Sequence, residues 1–369
     1  MNPFHYQRPL DPARLIDRRE ELDALQRAAA DRIAVRLASP RRFGKTTLLG
    51  AHLQAMRDAG HHACLIDLDR VATVADVADR IVDGLRQLPG VGPGLLEGRL
   101  ARLGLTVGPG GLQLQVAPRA ARGAPGPDES RAAIRDLLEL PAELAAQGDL
   151  VVVAIDEFQD LLTADDRLDG LLRSVVQHQR ERVAYVFAGS SPSMMRVLFA
   201  DRQRPFFGQA RPLDLPPLPT EETTREVLAL LPDPAAPGVA DATARIVAAA
   251  GGHPQRTMLL AHHLYDRLDR GAPAAAAAEQ AVATARDEVS DVCDAIWRSL
   301  DRGERVICAA LADGVPPTST VLAAEHGIPR STLQRAVERL LDDGQHVGRR
   351  DGGPPQLLDP LFASWIRHR

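Results

Sequence analysis

A chain of 369 residues, 45% hydrophobic and 25% charged, has room for two or three soluble domains of ordinary composition. A formal net charge of −5 and a pI near 6.1 exclude a uniformly basic nucleic-acid coat and leave only a local basic face open. Three cysteines (Cys64, Cys293, Cys308) lack zinc or disulfide spacing, the N-terminus is polar, and no apolar run nears the ~20 residues of a membrane span, so the chain reads as cytoplasmic.

After an opening arm, Leu15–Leu22 leads into an amphipathic helix through Ala24, Leu25 and Ala28. The apolar run 33–38 predicts a first strand, which passes into Ser39-Pro40-Arg41-Arg42-Phe43-Gly44-Lys45-Thr46-Thr47. A helical pattern follows with Leu48, Leu49, Leu53 and Met56 on one face. Strand, glycine-bearing turn, Lys-Thr and helix is the layout of a phosphate-binding P-loop. Backbone N–H groups of the turn and helix start face an anion, Lys45 adds a point charge for the β- and γ-phosphates, and Thr46 offers a hydroxyl to Mg²⁺. Ser39 stands where the G-x-x-x-x-G-K-[ST] pattern has its first glycine. Of the 44 basic residues only Lys45 is a lysine; the other 43 are arginines. Lysine is therefore kept at the one place where a compact charge inside a tight loop differs from a planar fork.

Residues 63–68 predict a second strand, and strands alternating with helices indicate a parallel α/β sheet. The Gly/Pro-rich stretch 90–128 interrupts this rhythm; its alternating run 105–116 suggests a hairpin, with an irregular loop over 117–128 as the alternative. Residues 150–155 form an apolar β-branched run of the kind buried on both sheet faces, ending in Asp156-Glu157. A helix over Leu168–Val176 and a strand over 183–188 follow, the latter ending in Gly189-Ser190-Ser191. The expected domains are 1–215 as the α/β core, 216–300 as a helical lid, with alanine-rich 274–278 carrying no chemistry, and 301–369 as a separate small domain.

Hydrolysis needs a carboxylate for Mg²⁺ and a base for the attacking water. Asp156 fits the first role and Glu157 the second, against the plain alternative of a helix cap. Ser190 can contact the γ-phosphate or the lytic water, or be an ordinary turn serine. At the start of a lid helix, His253 and Arg256 are candidates to reach the phosphates, or lie at a solvated helix end.

These residues resemble archaeal-type P-loop ATPases of the AAA+/STAND group, near the origin-recognition initiators. The resemblance rests on Asn2-Pro3-Phe4, Ile16-Asp17-Arg18 with Glu21-Leu22, Pro40–Thr46, Asp156-Glu157-Phe158-Gln159, and Gly189-Ser190-Ser191 with Met194-Met195. It continues in Gly252-His253-Pro254 and Asp359-Pro360-Leu361-Phe362 with Trp365. It implies ATP as ligand, a parallel-sheet P-loop NTPase core, a helical lid, a C-terminal winged helix, and Ile16 and Arg18 near the adenine. Where the family tends to have a Gly-Arg pair, this chain has Gly208-Gln209-Ala210-Arg211, leaving Arg204 or Arg211 as substitute arginine fingers.

Residues 302–343 independently suggest a helix-turn-helix, with His326–Pro329 as the turn. Arg330, Ser331, Thr332, Gln334 and Arg335 fall on the outward N-terminal face of its third helix, and 344–358, bearing Arg349 and Arg350, would be a wing. Nine arginines balance nine acidic residues across 301–369, so double-stranded DNA and a protein both stand as partners. The reading is a monomeric or homo-oligomeric ATP-hydrolysing switch, with ATP/ADP and Mg²⁺ as ligands, coupled to DNA; the alternative is an ATP-gated regulatory protein whose winged helix binds protein.

Overall fold

The computed structural model describes residues 2–7, 15–103, 105–108, 111–114, 126–145, 149–349 and 353–369. The chain divides into two compact units, one of 18–39 with 48–215, the other of 1–17, 40–47 and 216–369.

In the first unit, α1 (Arg19–Ala30) leads to β1 (Val35–Ala38), and α2 (Lys45–Asp58) leads to β2 (His62–Asp67). Then follow α3 (Val74–Leu85), α4 (Pro93–Arg102), β3 (Leu105–Gly108) and β4 (Gly111–Leu114). The rest of the unit is α5 (Pro127–Ala145), β5 (Val151–Asp156), α6 (Leu161–Ala164), α7 (Leu168–Val176), β6 (Val183–Gly189), α8 (Pro192–Ala200) and β7 (Arg211–Asp214). Five parallel strands form one sheet in the order β2-β5-β6-β1-β7. Every residue of β5 and β6 is buried, as the β-branched runs demand of strands covered on both faces. Phe158, Phe187, Phe199 and Phe206 pack together beside them, with centroid spacings from 4.7 to 5.7 Å.

The expected hairpin is present, β3 pairing antiparallel with β4 so that Leu105 faces Leu114. Residues 115–125, which hold most of the expected irregular loop, lie outside the described residues. The edge strand β7 has no counterpart in the sequence reading: Arg-Pro-Leu-Asp is too short and too polar to show a period. The Arg211 N–H donates to Ala34 O, just before the neighbouring β1, at 2.8 Å, so the alternate position, Pro212, turns its nitrogen to the open side.

The second unit holds α9 (Thr220–Ala229), α10 (Val239–Ala250), α11 (Pro254–Asp269), α12 (Ala274–Glu288) and α13 (Ser290–Ser299). It continues with α14 (Arg302–Ala312), α15 (Thr320–His326), α16 (Arg330–Asp343), β8 (Val347–Arg349), β9 (Pro355–Leu357) and α17 (Pro360–Arg367). The alanine-rich stretch opens α12, where Ala277, Ala278, Ala281 and Ala285 are buried; their small side chains let α10 and α11 approach closely. Phe4 of the opening arm is buried in the same core, and the Asn2 amide donates to His262 O and Asp266 Oδ1. A capping box, Asp301 with Glu304, starts α14. Leu333, Ala336, Val337 and Leu340 of α16 point inward, and β8 and β9 pair as an antiparallel hairpin. Among the described residues, no helix is long and apolar enough to cross a membrane.

Candidate functional site

Directly after β1 comes Ser39, which is buried and whose N–H donates to Gly189 O at the end of β6 (3.3 Å). The loop that follows turns through Arg42 at φ +68° and Gly44 at φ +87°. Glycine adopts that left-handed region without a Cβ penalty, so Gly44 serves the backbone here. Lys45 is 5% exposed, and its Nζ donates to Pro40 O at 3.3 Å, so the ammonium lies against the loop's own carbonyl. Arg41 and Thr46 are exposed, whereas Thr47 and Phe43 are buried. The Phe43 ring packs on that of His253 at 4.9 Å, bringing the loop and the start of α11 together.

In the sheet unit, Asp156 closes β5 and is 4% exposed. Glu157 follows at φ +50°, a left-handed conformation uncommon outside glycine. Its carboxylate accepts from the Ser190 N–H (3.0 Å), the Ser190 hydroxyl (2.6 Å) and the Gln159 amide (2.7 Å). The turn at Phe158–Asp160 has Glu157 at its N-cap without a side-chain cap bond, so the carboxylate is turned to Ser190 rather than used as a cap. Ser190, read in the sequence as either a turn serine or a functional one, is thus the residue that orients Glu157. Gly189 is required beside it: a Cβ there would stand 2.4 Å from Gln159 Oε1 and 2.5 Å from Met195 Sδ. Burial, and after it the Glu157 charge, push Asp160 above the usual carboxylate range.

At the start of α11, His253 Nδ1 accepts from the Arg256 N–H (3.4 Å), and burial pushes the imidazole down to about 4, leaving it neutral at pH 7. Arg256 is not at a solvated helix end. It is 2% exposed and pairs with Asp359: Nε lies 3.1 Å from both carboxylate oxygens and a terminal nitrogen 2.5 Å from Oδ2. Asp359 also accepts from the N–H groups of Leu361 (2.9 Å) and Phe362 (3.3 Å), capping α17. Burial works to raise this carboxyl, but the bonds and charge of Arg256 hold it below the usual range. In the sequence Asp359 stands only within a motif, and nothing there joins it to Arg256, 103 residues away.

Ile16 is buried in the helical core, and Pro254 is half-buried as the first residue of α11. Arg18, 3% exposed, pairs with Glu21 at 2.8 Å, while one terminal nitrogen of its guanidinium has no hydrogen-bond partner among the described residues. Arg204 is held by Asp169 (3.4 Å), itself buried, and by Asp166 O (3.3 Å). Arg211 is exposed at the first position of β7, the end of the sheet opposite to Asp156. On α16, Arg330, Ser331, Thr332, Gln334 and Arg335 are all exposed, and Arg349 on β8 donates to Gly353 O at 2.9 Å. Arg350 lies outside the described residues.

No group of three His, Cys, Asp or Glu side chains among the described residues could hold a metal ion. A hard cation that takes one carboxylate and one hydroxyl, with its other oxygens from phosphate and water, fits that donor supply; this is how Mg²⁺ is usually bound.

No protein-family model matches the chain, and no curated protein matches it. Among solved structures, a Walker-type ATPase of Pyrococcus abyssi is similar at 18% identity over 96% of this chain and 96% of that one, with a TM-score of 0.67. The ORC2 protein of Aeropyrum pernix, solved in ADPNP–ADP complexes, is similar at 15% identity over 98% and 96% of the two chains, with a TM-score of 0.61. The same protein in its ADP form gives a TM-score of 0.56 at 15% identity over 98% and 97%. At such identity it is the fold that is shared: this chain has the fold of the Walker-type ATPase and ORC2 structures, with a five-stranded parallel sheet.

Proposed function

We propose that the chain binds ATP on Ser39–Thr47 and hydrolyses it, and that its nucleotide state governs a DNA-binding surface on α16 and the β8–β9 hairpin. The observation that carries the hydrolytic reading is Glu157, fixed at the C-terminal edge of the sheet by both donors of Ser190. A carboxylate held in one orientation at the end of a buried strand suits a general base for water. Ser39, Asp156 and Ser190 all stand at that same edge, at the ends of β1, β5 and β6. In this reading Lys45 and the loop N–H groups grip the phosphates, and Thr46 and Asp156 would hold Mg²⁺, which would supply further positive charge there. Ile16 and the unpaired nitrogen of Arg18 serve the adenine. His253 supports the loop through Phe43, with Pro254 following it as the first residue of α11, and Arg256 reaches a phosphate only by releasing Asp359. The nucleotides in the Aeropyrum complexes support the choice of ligand. Arg204 acts on a neighbouring phosphate only by leaving Asp169, and Arg211 needs no such release.

Titrating wild type, Lys45→Ala and Glu157→Gln with ATP tests the site. Lys45→Ala loses binding, while Glu157→Gln keeps binding and loses turnover; equal turnover in Glu157→Gln would refute the base. For DNA, the exposed row on α16 supports contact, and affinity for a duplex falls with salt and on Arg330→Ala with Arg335→Ala. The charge balance of 301–369 favours one other reading, a protein partner for α16, and no duplex binding at low salt would decide for it.

A further inference from the structure

At the end of the sheet opposite to Ser39 and Ser190, where β6, β1 and β7 begin, arginines gather. Arg32, Arg180 and Arg211 line an open cavity of about 380 Å³ together with Gln209, Ile33 and Ala34. That volume falls inside the ~300–1,000 Å³ of small-molecule sites. Arg173 joins them through Gln209, whose Oε1 accepts from Arg173 at 3.0 Å and from Arg180. The Gln209 amide nitrogen is fixed in turn by Phe207 O at 3.0 Å, so this acceptor is positioned as well as neutral.

The arginines of this cluster differ from others in the chain. Arg99 pairs with Asp136, Arg131 with Asp165, Arg204 with Asp169 and Arg339 with Asp301 and Glu304. Among the described residues, none of Arg32, Arg173, Arg180 and Arg211 has a carboxylate within ion-pair distance. Arg173 is pushed below its usual range by burial and then by the Arg180 charge, so the crowding is felt. A neutral amide satisfies hydrogen bonds but leaves like charges uncompensated in a hollow that concentrates their field. Arginines from the α1–β1 loop, the α7–β6 loop and the start of β7 line this one cavity, the Arg32 guanidinium donating to Ala30 O at 3.3 Å. One carboxylate occupies one fork, whereas linked phosphates offer oxygens to several at once.

We propose that this cavity is a second anion site, separate from Ser39–Thr47, which takes the phosphate groups of a polyphosphate-bearing ligand. The two places are distinct on one strand: from Ile33 to Ser39 the extended chain covers roughly 20 Å. The phosphates come from a free oligophosphate or from a nucleic-acid backbone, and the two sources share the same chemistry of recognition.

Calorimetric titration of the full chain carrying Lys45→Ala with inorganic tripolyphosphate, and separately with a duplex oligonucleotide, tests this. Binding of tripolyphosphate is expected to persist in Lys45→Ala and to weaken at least tenfold on adding Arg173→Gln and Arg180→Gln. Gln209→Glu places a carboxylate among the guanidiniums, and it is expected to weaken binding while raising the melting temperature. That opposite pair of responses also guards against misfolding of the double variant. Duplex binding with the same dependence on Arg173 and Arg180 assigns the phosphates to a nucleic-acid backbone, and tripolyphosphate binding alone assigns them to a free ligand. No tripolyphosphate binding in Lys45→Ala, or binding indifferent to all three substitutions, would overturn the proposal.

Discussion

The two ends of the five-stranded sheet handle charge in opposite ways. At the C-terminal end, Asp67, Asp156 and Glu157 bring carboxylates together, and each is given hydrogen-bond donors: Asp67 accepts from Asp69 N–H, Asp156 from Glu157 N–H, and Glu157 from Ser190 and Gln159. At the N-terminal end, Arg173 and Arg180 share the neutral amide of Gln209, with Arg32 and Arg211 lining the same cavity. A carboxylate fixed by hydroxyl and amide donors is oriented without being neutralised by those donors, the condition for taking a proton from water. Guanidiniums without a carboxylate are left open to an anion from outside, which the proposed site takes as phosphate. In the proposed readings, one edge of the sheet reacts and the other receives.

The largest effect expected is on the reacting edge. Glu157→Gln should lower kcat by about 10²–10³ with little change in ATP affinity, because the shape stays and the proton acceptor goes. Gly189→Ala should destabilise the fold by about 1–3 kcal/mol in denaturant titration, since Gln159 and Met195 leave no space for the methyl group. Ser190→Ala should lower kcat roughly tenfold, because the hydroxyl donor to Glu157 is lost while the backbone N–H of residue 190 and the Gln159 amide remain.

A pH titration sharpens the comparison by asking whether the carboxylate edge alone sets the acid response. His52 and His253 are pushed down to about 4 by burial, and both nitrogens of His52 lack hydrogen-bond partners among the described residues. Between pH ~6.5 and ~4 the unfolded chain takes up protons that the folded histidines refuse, so stability should fall as pH drops through that window. His52→Leu should flatten this fall and raise stability at pH 7 by about 1 kcal/mol, because two orphaned polar atoms leave the core. The smallest effect concerns the receiving edge: Arg173→Gln with Arg180→Gln should leave ATP turnover unchanged, and a loss of turnover would dissolve the distinction between the two ends.

What the sequence made legible was local. The turn Ser39–Thr47 shows itself because a left-handed glycine and a unique lysine must stand next to each other. β5 shows itself because burial on both faces selects an unbroken β-branched run. The pairing of β3 with β4 is read from alternation across a glycine-rich turn. Contacts set by the tertiary fold left no such trace. Asp359 and Arg256 meet across 103 residues, and neither neighbourhood marks the other. Gln209 reads as a departure from the family, and only the fold puts Arg173 and Arg180 upon it. Ser190 is ambiguous as a serine and becomes specific once β6 lies beside β5.

Pro212 has a further consequence for how the sheet ends. In β7 the N–H of Arg211 is spent on Ala34, and the alternate position, facing outward, has no N–H to offer. A strand arriving from another chain would meet a missing donor in a four-residue edge whose ends carry Arg211 and Asp214. Such a short, charged, proline-bearing border resists being extended into an intermolecular sheet. The residue that hid β7 from the sequence reading is the one that keeps this edge from growing.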